Sequence, residues 1–456
     1  MAKRNYSRRE FVRQNSLAGL GAAIAMGVSP SLLANPKPLS DLPAILGGQK
    51  IRTKSWPKWP IWDPATDEER VIQVLRSGIW SRAGVVAEFE KKWAETIGTK
   101  RCLALVNGTN SLITALVQLG IGGGDEVLVP PYTFIATVAA ILQTGAIPVF
   151  VDTDPETFQI DPGKIEARIT PRTKAILPVH ILGLPADMIR IMAIAKKHNL
   201  LVVEDACQAW LAEIDHKKMG TFGNAGCFSF QNSKNIPIGE GGAIVSDNEA
   251  FMDRCYSYHN YGDAYGTVIG NVNSDTLILG TKLRMTEYQA AIGLAQLKRL
   301  DEQTTIRNEN AAYLSAQIKA IPGILPYRLY DKVTRAAFHL YPFRYKKEEF
   351  KGLSRDQFLK ALSAEGIPAS SGYTQLNKMP YIADAFKTKN FKLMYSSDML
   401  DYNKYMEHNQ CPANDTLCEE AVWFEQSMLL AGKSDMDDIA MAIDRIHKNA
   451  DKIKAK

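Results

Sequence analysis

The chain has 456 residues, 46% of them hydrophobic and 23% charged, which is too long for one small core and ordinary for a soluble globular protein. Its formal net charge is +5, but Lys3, Arg4, Arg8, Arg9 and Arg13 against Glu10 supply +4 of it, so the remainder is close to neutral and leaves no nucleic-acid footprint. The one long apolar run is N-terminal, which argues against a polytopic membrane protein.

That terminus reads Ser7-Arg-Arg-Glu-Phe-Val-Arg13, then a mild apolar stretch over 17–28 and the small residue Ala34. A basic segment before a short apolar one is the layout of a secretory leader, and adjacent arginines mark the twin-arginine kind. Residues 1–34 are therefore expected to form an export signal, giving a periplasmic or exported protein; a cytoplasmic location is the alternative. Residues 35–60 are rich in Pro, Trp and Lys, and Trp56-Pro-Lys-Trp-Pro-Ile-Trp62 is expected to run extended against a neighbour. Helical patterns follow over 67–77 and 86–97.

From Cys102 onward, short apolar runs (102–106, 126–129, 147–151, 175–179, 200–204, 226–230 and 243–245) alternate with amphipathic segments such as 111–119, 133–144 and 187–199. Runs apolar on both faces and separated by helices predict an α/β fold: a mostly parallel central sheet covered by helices on both faces. Thr286-Glu-Tyr-Gln289 is a capping-box pattern opening a helix through Leu300. After about Asn308 the pattern changes to strand-like 337–345, helical 355–365, strand-like 367–369 and a final helix over 436–453. The expected division is a large domain over 61–307 and a smaller C-terminal α+β domain over 308–456. Six scattered cysteines (Cys102, Cys207, Cys227, Cys255, Cys411, Cys418) form no metal-binding spacing.

Chemistry-bearing residues fall at the predicted strand ends, where such sheets bind ligands. Lys234 follows the apolar run ending at Phe230 and precedes Gly239-Glu-Gly-Gly242. A lysine with little bulk solvent has a lowered pKa, as a Schiff-base lysine requires; a lysine snorkelling from a strand end is the plain alternative. Asn107-Gly-Thr-Asn-Ser111 lies between a strand and a helix, and could be a phosphate cup or an ordinary capped turn. Glu204-Asp-Ala-Cys-Gln208 puts carboxylates at a strand's carboxyl end, to cap a helix or pair with a cation such as a protonated ring nitrogen. Tyr132-Thr-Phe134 could stack on a flat heterocycle or pack in the core. Ser229 carries a hydroxyl able to donate to a phosphate.

In that order these features resemble the fold-type I pyridoxal 5'-phosphate enzymes of the DegT/StrS group, aminotransferases acting on keto sugars and cyclitols. The resemblance spans roughly 45–450. It rests on Gly108-Thr109, Pro131-Tyr-Thr-Phe-Ile-Ala-Thr137, Val179-His180, Glu204-Asp-Ala-Cys-Gln-Ala209, Ser229-Phe-Gln-Asn-Ser-Lys-Asn235, Gly239-Glu-Gly-Gly242 and Arg284-Met-Thr-Glu-Tyr-Gln-Ala-Ala291. It implies Lys234 as the Schiff-base lysine and Asp205 as the acid for the ring nitrogen. Gln208 falls on the contact to the ring hydroxyl, Gly108, Thr109 and Ser229 on phosphate positions, and Phe134 on the stacking aromatic. Lys282 stands where the group commonly has an asparagine reaching the phosphate in the neighbouring subunit. The resemblance further implies a homodimer, a glutamate or glutamine donor, and a keto sugar, sugar nucleotide or inosose-like cyclitol as acceptor. Ala421-Val-Trp-Phe-Glu-Gln-Ser-Met-Leu-Leu430 leans toward the cyclitol-type members. Export raises a second reading, a sugar-binding or regulatory protein keeping the fold without turnover; the lysine–acid pair argues against it.

Overall fold

The computed structural model describes residues 41–267 and 278–456, so the expected leader lies outside the described residues. Its central sheet takes β1 (Arg101–Leu105), β2 (Glu126–Val129), β3 (Ile147–Phe150), β4 (Thr173–Ile176) and β5 (Leu201–Asp205). A short hairpin of β6 (Glu213–Ile214) and β7 (Lys217–Lys218) leaves the sheet, and β8 (Ala225–Ser229) and β9 (Gly242–Ser246) complete it. The strand order is β1-β9-β8-β5-β4-β2-β3. Neighbours from β3 through β8 pair parallel, whereas β9 runs antiparallel to both β8 and β1.

Every residue of β2, β8 and β9 is buried, which explains their unbroken apolar runs: helices cover both faces. Helices Gly108–Gln118, Ile135–Thr144 and Glu249–His259 pack on one side. Gly84–Ile97, Met188–His198 and the start of Glu287–Ile318 pack on the other. Phe89, Trp93, Phe228 and Phe230 interlock there edge to face, with centroids 5.2–5.3 Å apart.

The second core lies beneath an antiparallel sheet of β10 (Ile324–Pro326), β12, β14 and β13, while β11 (Val333–Arg335) joins the β6–β7 hairpin. Here β12 is Leu340–Tyr345, β13 is Ser370–Ser371 and β14 is Ala421–Glu425. Helices Arg355–Ala364 and Lys433–Lys448 complete that core.

Some expected elements shift. The helix opened by the Thr286/Gln289 capping box does not stop at Leu300 but continues to Ile318. Its buried side includes Gln296, Gln303, Thr304, Arg307 and Asn310, polar residues that blur the amphipathic stripe. Ala311, Leu314 and Ile318 reach the second core, so position 307/308 lies inside a continuous helix. The helix placed at 111–119 begins earlier, at Gly108, and the strand placed at 367–369 is only Ser370–Ser371. Asn449 divides the final helix into Lys433–Lys448 and Ala450–Lys454. Helices Pro380–Lys387, Lys389–Met394 and Tyr402–His408, absent from the sequence reading, pack over the β3 edge. There Tyr405 donates to Pro148 O (2.8 Å), and Asn409 Oδ1 accepts from Phe150 N (2.7 Å).

Candidate active site

A cavity of about 590 Å³ opens where β1, β5 and β8 end and β9 begins. All the predicted site residues line it except Lys282, which is exposed and paired with Asn260 in an isolated bridge outside the cavity. The described structure therefore does not bring Lys282 to the other site residues of its own chain.

One wall is the amino end of helix Gly108–Gln118. The Asn107 side chain caps it, accepting from Asn110 N at 2.9 Å. The first N–H groups of a helix lack intrahelical partners, so those of Gly108 and Thr109 are free for an anion, favoured by the helix dipole. Glycine is required there by space: a Cβ on Gly108 would lie 2.8 Å from both Cys207 Sγ and Ser229 Cβ. Gly242 answers the same need from β9, since its Cβ would come within 2.3 Å of the Asn107 carbonyl carbon. The two glycines let β8, β9 and the helix terminus converge, with the Ser229 hydroxyl beside them.

Side-chain alternation along β5 sends Glu204 and Asp205 to opposite faces. Glu204, fully buried, accepts from the backbone N–H groups of Gly220, Phe222 and Gly223 (2.7 Å each) and contacts His180 Nε2 at 3.1 Å. It is a structural anchor. Asp205 faces the cavity and is only 4% exposed. Its Oδ2 accepts from Thr137 Oγ1 (2.7 Å), which lies 2.9 Å from Thr133 Oγ1, and its Oδ1 accepts from Cys207 N (3.1 Å). These donors are all neutral. A buried carboxylate so placed is left with charge for a cation that enters the cavity.

Lys234 sits on the loop joining β8 to β9. Its N–H donates to Gln231 O (2.8 Å), and its carbonyl accepts from the Trp59 indole (3.2 Å). Burial lowers its ammonium pKa, opposed by Cys207 and Asp205. The amine is 3.5 Å from His339 Nε2. His339 is itself held well below the ordinary histidine range, by burial first and then by Lys234 and Arg307. Burial thus favours the neutral imidazole, whose Nε2 lies within hydrogen-bond reach of the amine, with the donor set by the imidazole tautomer.

Gln208 is anchored at both ends of its amide: Oε1 accepts from Leu182 N (2.7 Å) and Nε2 donates to Tyr373 OH (3.0 Å). The second Nε2 hydrogen is left for a ligand oxygen. Of the two aromatics at 132 and 134, Tyr132 is a core residue packed edge-on against Tyr373, while Phe134 is 55% exposed at the cavity.

The residues present fit pyridoxal 5'-phosphate. The glycine-cleared helix end matches a phosphate, Asp205 a cationic ring nitrogen, Gln208 a ring hydroxyl, and the desolvated Lys234 an aldehyde. Sequence reasoning missed His339, Tyr373 and the direct support of Asp205 by Thr137. Thr137 lay within a quoted motif and His339 in a strand-like run, but neither side chain's direction is readable from such patterns.

Comparison with known proteins agrees with this geometry. The profile of the DegT/DnrJ/EryC1/StrS aminotransferase family matches residues 63–426. The putative L-glutamine:3-amino-2,3-dideoxy-scyllo-inosose aminotransferase of Streptoalloteichus tenebrarius is 34% identical over 424 residues, covering 90% of this chain and 99% of that protein. The spore coat polysaccharide biosynthesis protein SpsC of Bacillus subtilis is 38% identical over 327 residues, covering 70% and 84%. Among solved structures, an aminotransferase from Psychrobacter cryohalolentis superposes with a TM-score of 0.76 at 30% identity, covering 87% of this chain and all of that one. The chain belongs to the DegT/DnrJ/EryC1/StrS aminotransferase family and is a fold-type I enzyme that works with pyridoxal 5'-phosphate.

Proposed function

We propose that the enzyme transfers an amino group from glutamine to the ketone of a cyclitol of the inosose type, the branch of keto-cyclitol and keto-sugar amination its relatives favour. The observation that carries the chemistry is the convergence of Lys234, Asp205 and the Gly108–Thr109 helix end on one cavity. Pyridoxal 5'-phosphate, when bound, supplies an aldehyde for the amino group and a ring that takes up the electron pair of a broken C–H bond. Gly108 and Thr109 N–H groups, with the Ser229 hydroxyl, would hold its phosphate. Asp205 keeps a proton on the ring nitrogen, and Thr137 and Cys207 N fix the carboxylate that does so. Lys234, neutral more readily because it is buried, takes the proton from the donor's α-carbon and delivers it to the carbon that bore the aldehyde. His339, held toward its neutral form by burial, stands 3.5 Å from the amine without adding a charge beside it. Phe134, exposed at the cavity, is the aromatic that would stack on the cofactor's ring.

The leaning toward a cyclitol is supported by the inosose-acting enzyme that matches nearly end to end, and glutamine by that relative's donor. The test offers the aminated form of the enzyme to inososes, keto sugars and sugar nucleotides, following return of the visible absorbance of the aldehyde form. Turnover with sugar nucleotides alone would overturn the cyclitol assignment. Borohydride should fix the cofactor on Lys234, and Lys234→Ala should lose both the visible band and the adduct; an unchanged spectrum in that variant refutes the role. We further propose a homodimer in which the exposed Lys282 serves the partner's phosphate, to be checked by sedimentation, which must not return a monomer. Export through the twin-arginine signal at residues 1–34 is checked by fractionation of cells producing the full chain, and cytoplasmic retention refutes it.

A further inference from the structure

The tryptophan-rich segment before the large sheet has no part in the chemistry described so far, yet it touches the residue at its centre. Trp59 Nε1 donates to the main-chain carbonyl of Lys234 at 3.2 Å, although the two residues lie far apart in sequence. The next residue of the loop is tied as well, Asn235 Nδ2 donating to Ala337 O at 2.9 Å. On its carboxyl side the lysine's loop is thus held from outside its own hairpin, while the Lys234 N–H stays bonded within the loop to Gln231 O.

Beneath the indole lies Arg307, on helix Glu287–Ile318, with its guanidinium carbon 5.4 Å from the Trp59 ring centroid. Arg307 is fully buried. Its Nε and Nη2 both donate to Gln426 Oε1 (3.0 and 2.5 Å), while Nη1 has no partner among the described residues. Among those residues no carboxylate forms an ion pair with it, and burial pushes its pKa down to about 9. A buried cation without an acid is a standing cost that an apolar side chain would remove, so stability alone gives no reason to keep it. The aromatic face and one amide oxygen are what compensate it.

We propose that Trp59 and Arg307 form a strap that positions Lys234 for proton transfer, the guanidinium holding the indole and the indole N–H holding the lysine's carbonyl. The inference rests on the reading of Lys234 as the proton-carrying amine. That amine must reach two carbons in turn, and small displacements of a reacting group are costly, about a hundredfold in rate for an ångström. Both members are positioning residues: neither lines the cavity, and they act through the lysine's backbone.

The test compares the full-length protein with Trp59→Phe, which keeps an aromatic face for Arg307 but removes the N–H, and with Trp59→Leu and Arg307→Leu. Hydrogen exchange is read without added cofactor, and the donor half-reaction by single-turnover spectroscopy with glutamine. In Trp59→Phe, exchange over 231–238 is expected to speed about fivefold or more while the rest of the protein is unchanged. The half-reaction rate constant is expected to fall about tenfold or more, with the glutamine concentration for half-maximal rate moving less than about threefold. Arg307→Leu should reproduce the exchange effect with the indole N–H intact. Wild-type exchange and rate in Trp59→Phe overturn the proposal, as does a rise in exchange spread over the whole protein, which would mark the tryptophan as merely structural. Should Trp59→Leu not fold, the Phe variant decides. A wild-type protein whose Lys234 is not fixed by borohydride refutes the underlying lysine assignment instead, a separate outcome.

Discussion

Replacing Asp205 by asparagine isolates charge from shape. The carboxylate accepts one hydrogen bond on each oxygen, from Thr137 Oγ1 at 2.7 Å and Cys207 N at 3.1 Å. An asparagine turned with its oxygen to Cys207 N would donate its amide to Thr137 Oγ1, whose own proton can turn to Thr133 Oγ1 at 2.9 Å. Every local hydrogen bond survives, so folding stability should change by less than about 1 kcal/mol. The lost quantity is attraction for the ring cation. For charges about 4 Å apart at an effective dielectric near 20 this is about 4 kcal/mol. At 1.36 kcal/mol per decade, the donor half-reaction should slow about a thousandfold. The assay is rapid mixing of the loaded variant with excess glutamine, following decay of the visible band, with urea unfolding in parallel. A half-reaction within tenfold of wild type, in a variant of unchanged stability, would refute the assignment of Asp205 as the acid that holds the ring proton.

Gly108→Ala inserts a methyl 2.8 Å from Cys207 Sγ and Ser229 Cβ. It should destabilise the apoprotein by about 1–3 kcal/mol in urea unfolding and weaken phosphate-dependent cofactor retention in dialysis; unaltered retention would argue against the cup. Acid should destabilise the fold through its buried histidines. Burial lowers the pKa of His259 to about 3 and holds His339 well below its usual range. Both groups therefore have folded pKa values below the unfolded one. Between about pH 6.5 and those depressed values the unfolded chain binds protons that the native state does not, so stability falls as pH falls, by up to about 1.4 kcal/mol per pH unit for each group. Denaturant titrations at pH 7 and 5.5 should show the drop, and a flat profile would contradict it.

The site was legible where its chemistry coincides with backbone punctuation. Lys234, Asp205, Gly108 and Ser229 lie at or just beyond strand ends, where an apolar run stops and a polar or glycine-rich turn begins, and the structure gathers them in one cavity. What escaped arrives through packing across large sequence distances. His339 stands just before β12 and Trp59 in the extended segment before the large domain, and each reaches Lys234 only through docking of distant parts of the chain. No local period encodes that docking. Arg307 and Asn310 escaped for a related reason, since burial of polar groups inside a long helix hides its continuation. The short helices over 380–408 were missed because none is longer than eight residues, below the length at which a hydrophobic stripe stands out.

The antiparallel β9 carries a consequence for the order of assembly. It lies between β1 and β8, its residues paired with Arg101–Leu105 on one side and with β8 on the other, although it is the last of the sheet's strands in the chain. The anion-binding helix end follows β1, and the amine rides on the hairpin that leads into β9. Until that last strand pairs with both neighbours, the helix end that follows β1 and the stretch that carries Ser229 and Lys234 are not brought together, and a partly folded chain lacks half of the phosphate's grip. Ligand retention is thus a proofreading signal: only a topologically finished molecule is stabilised by its coenzyme, by an amount set by the free coenzyme concentration relative to its dissociation constant.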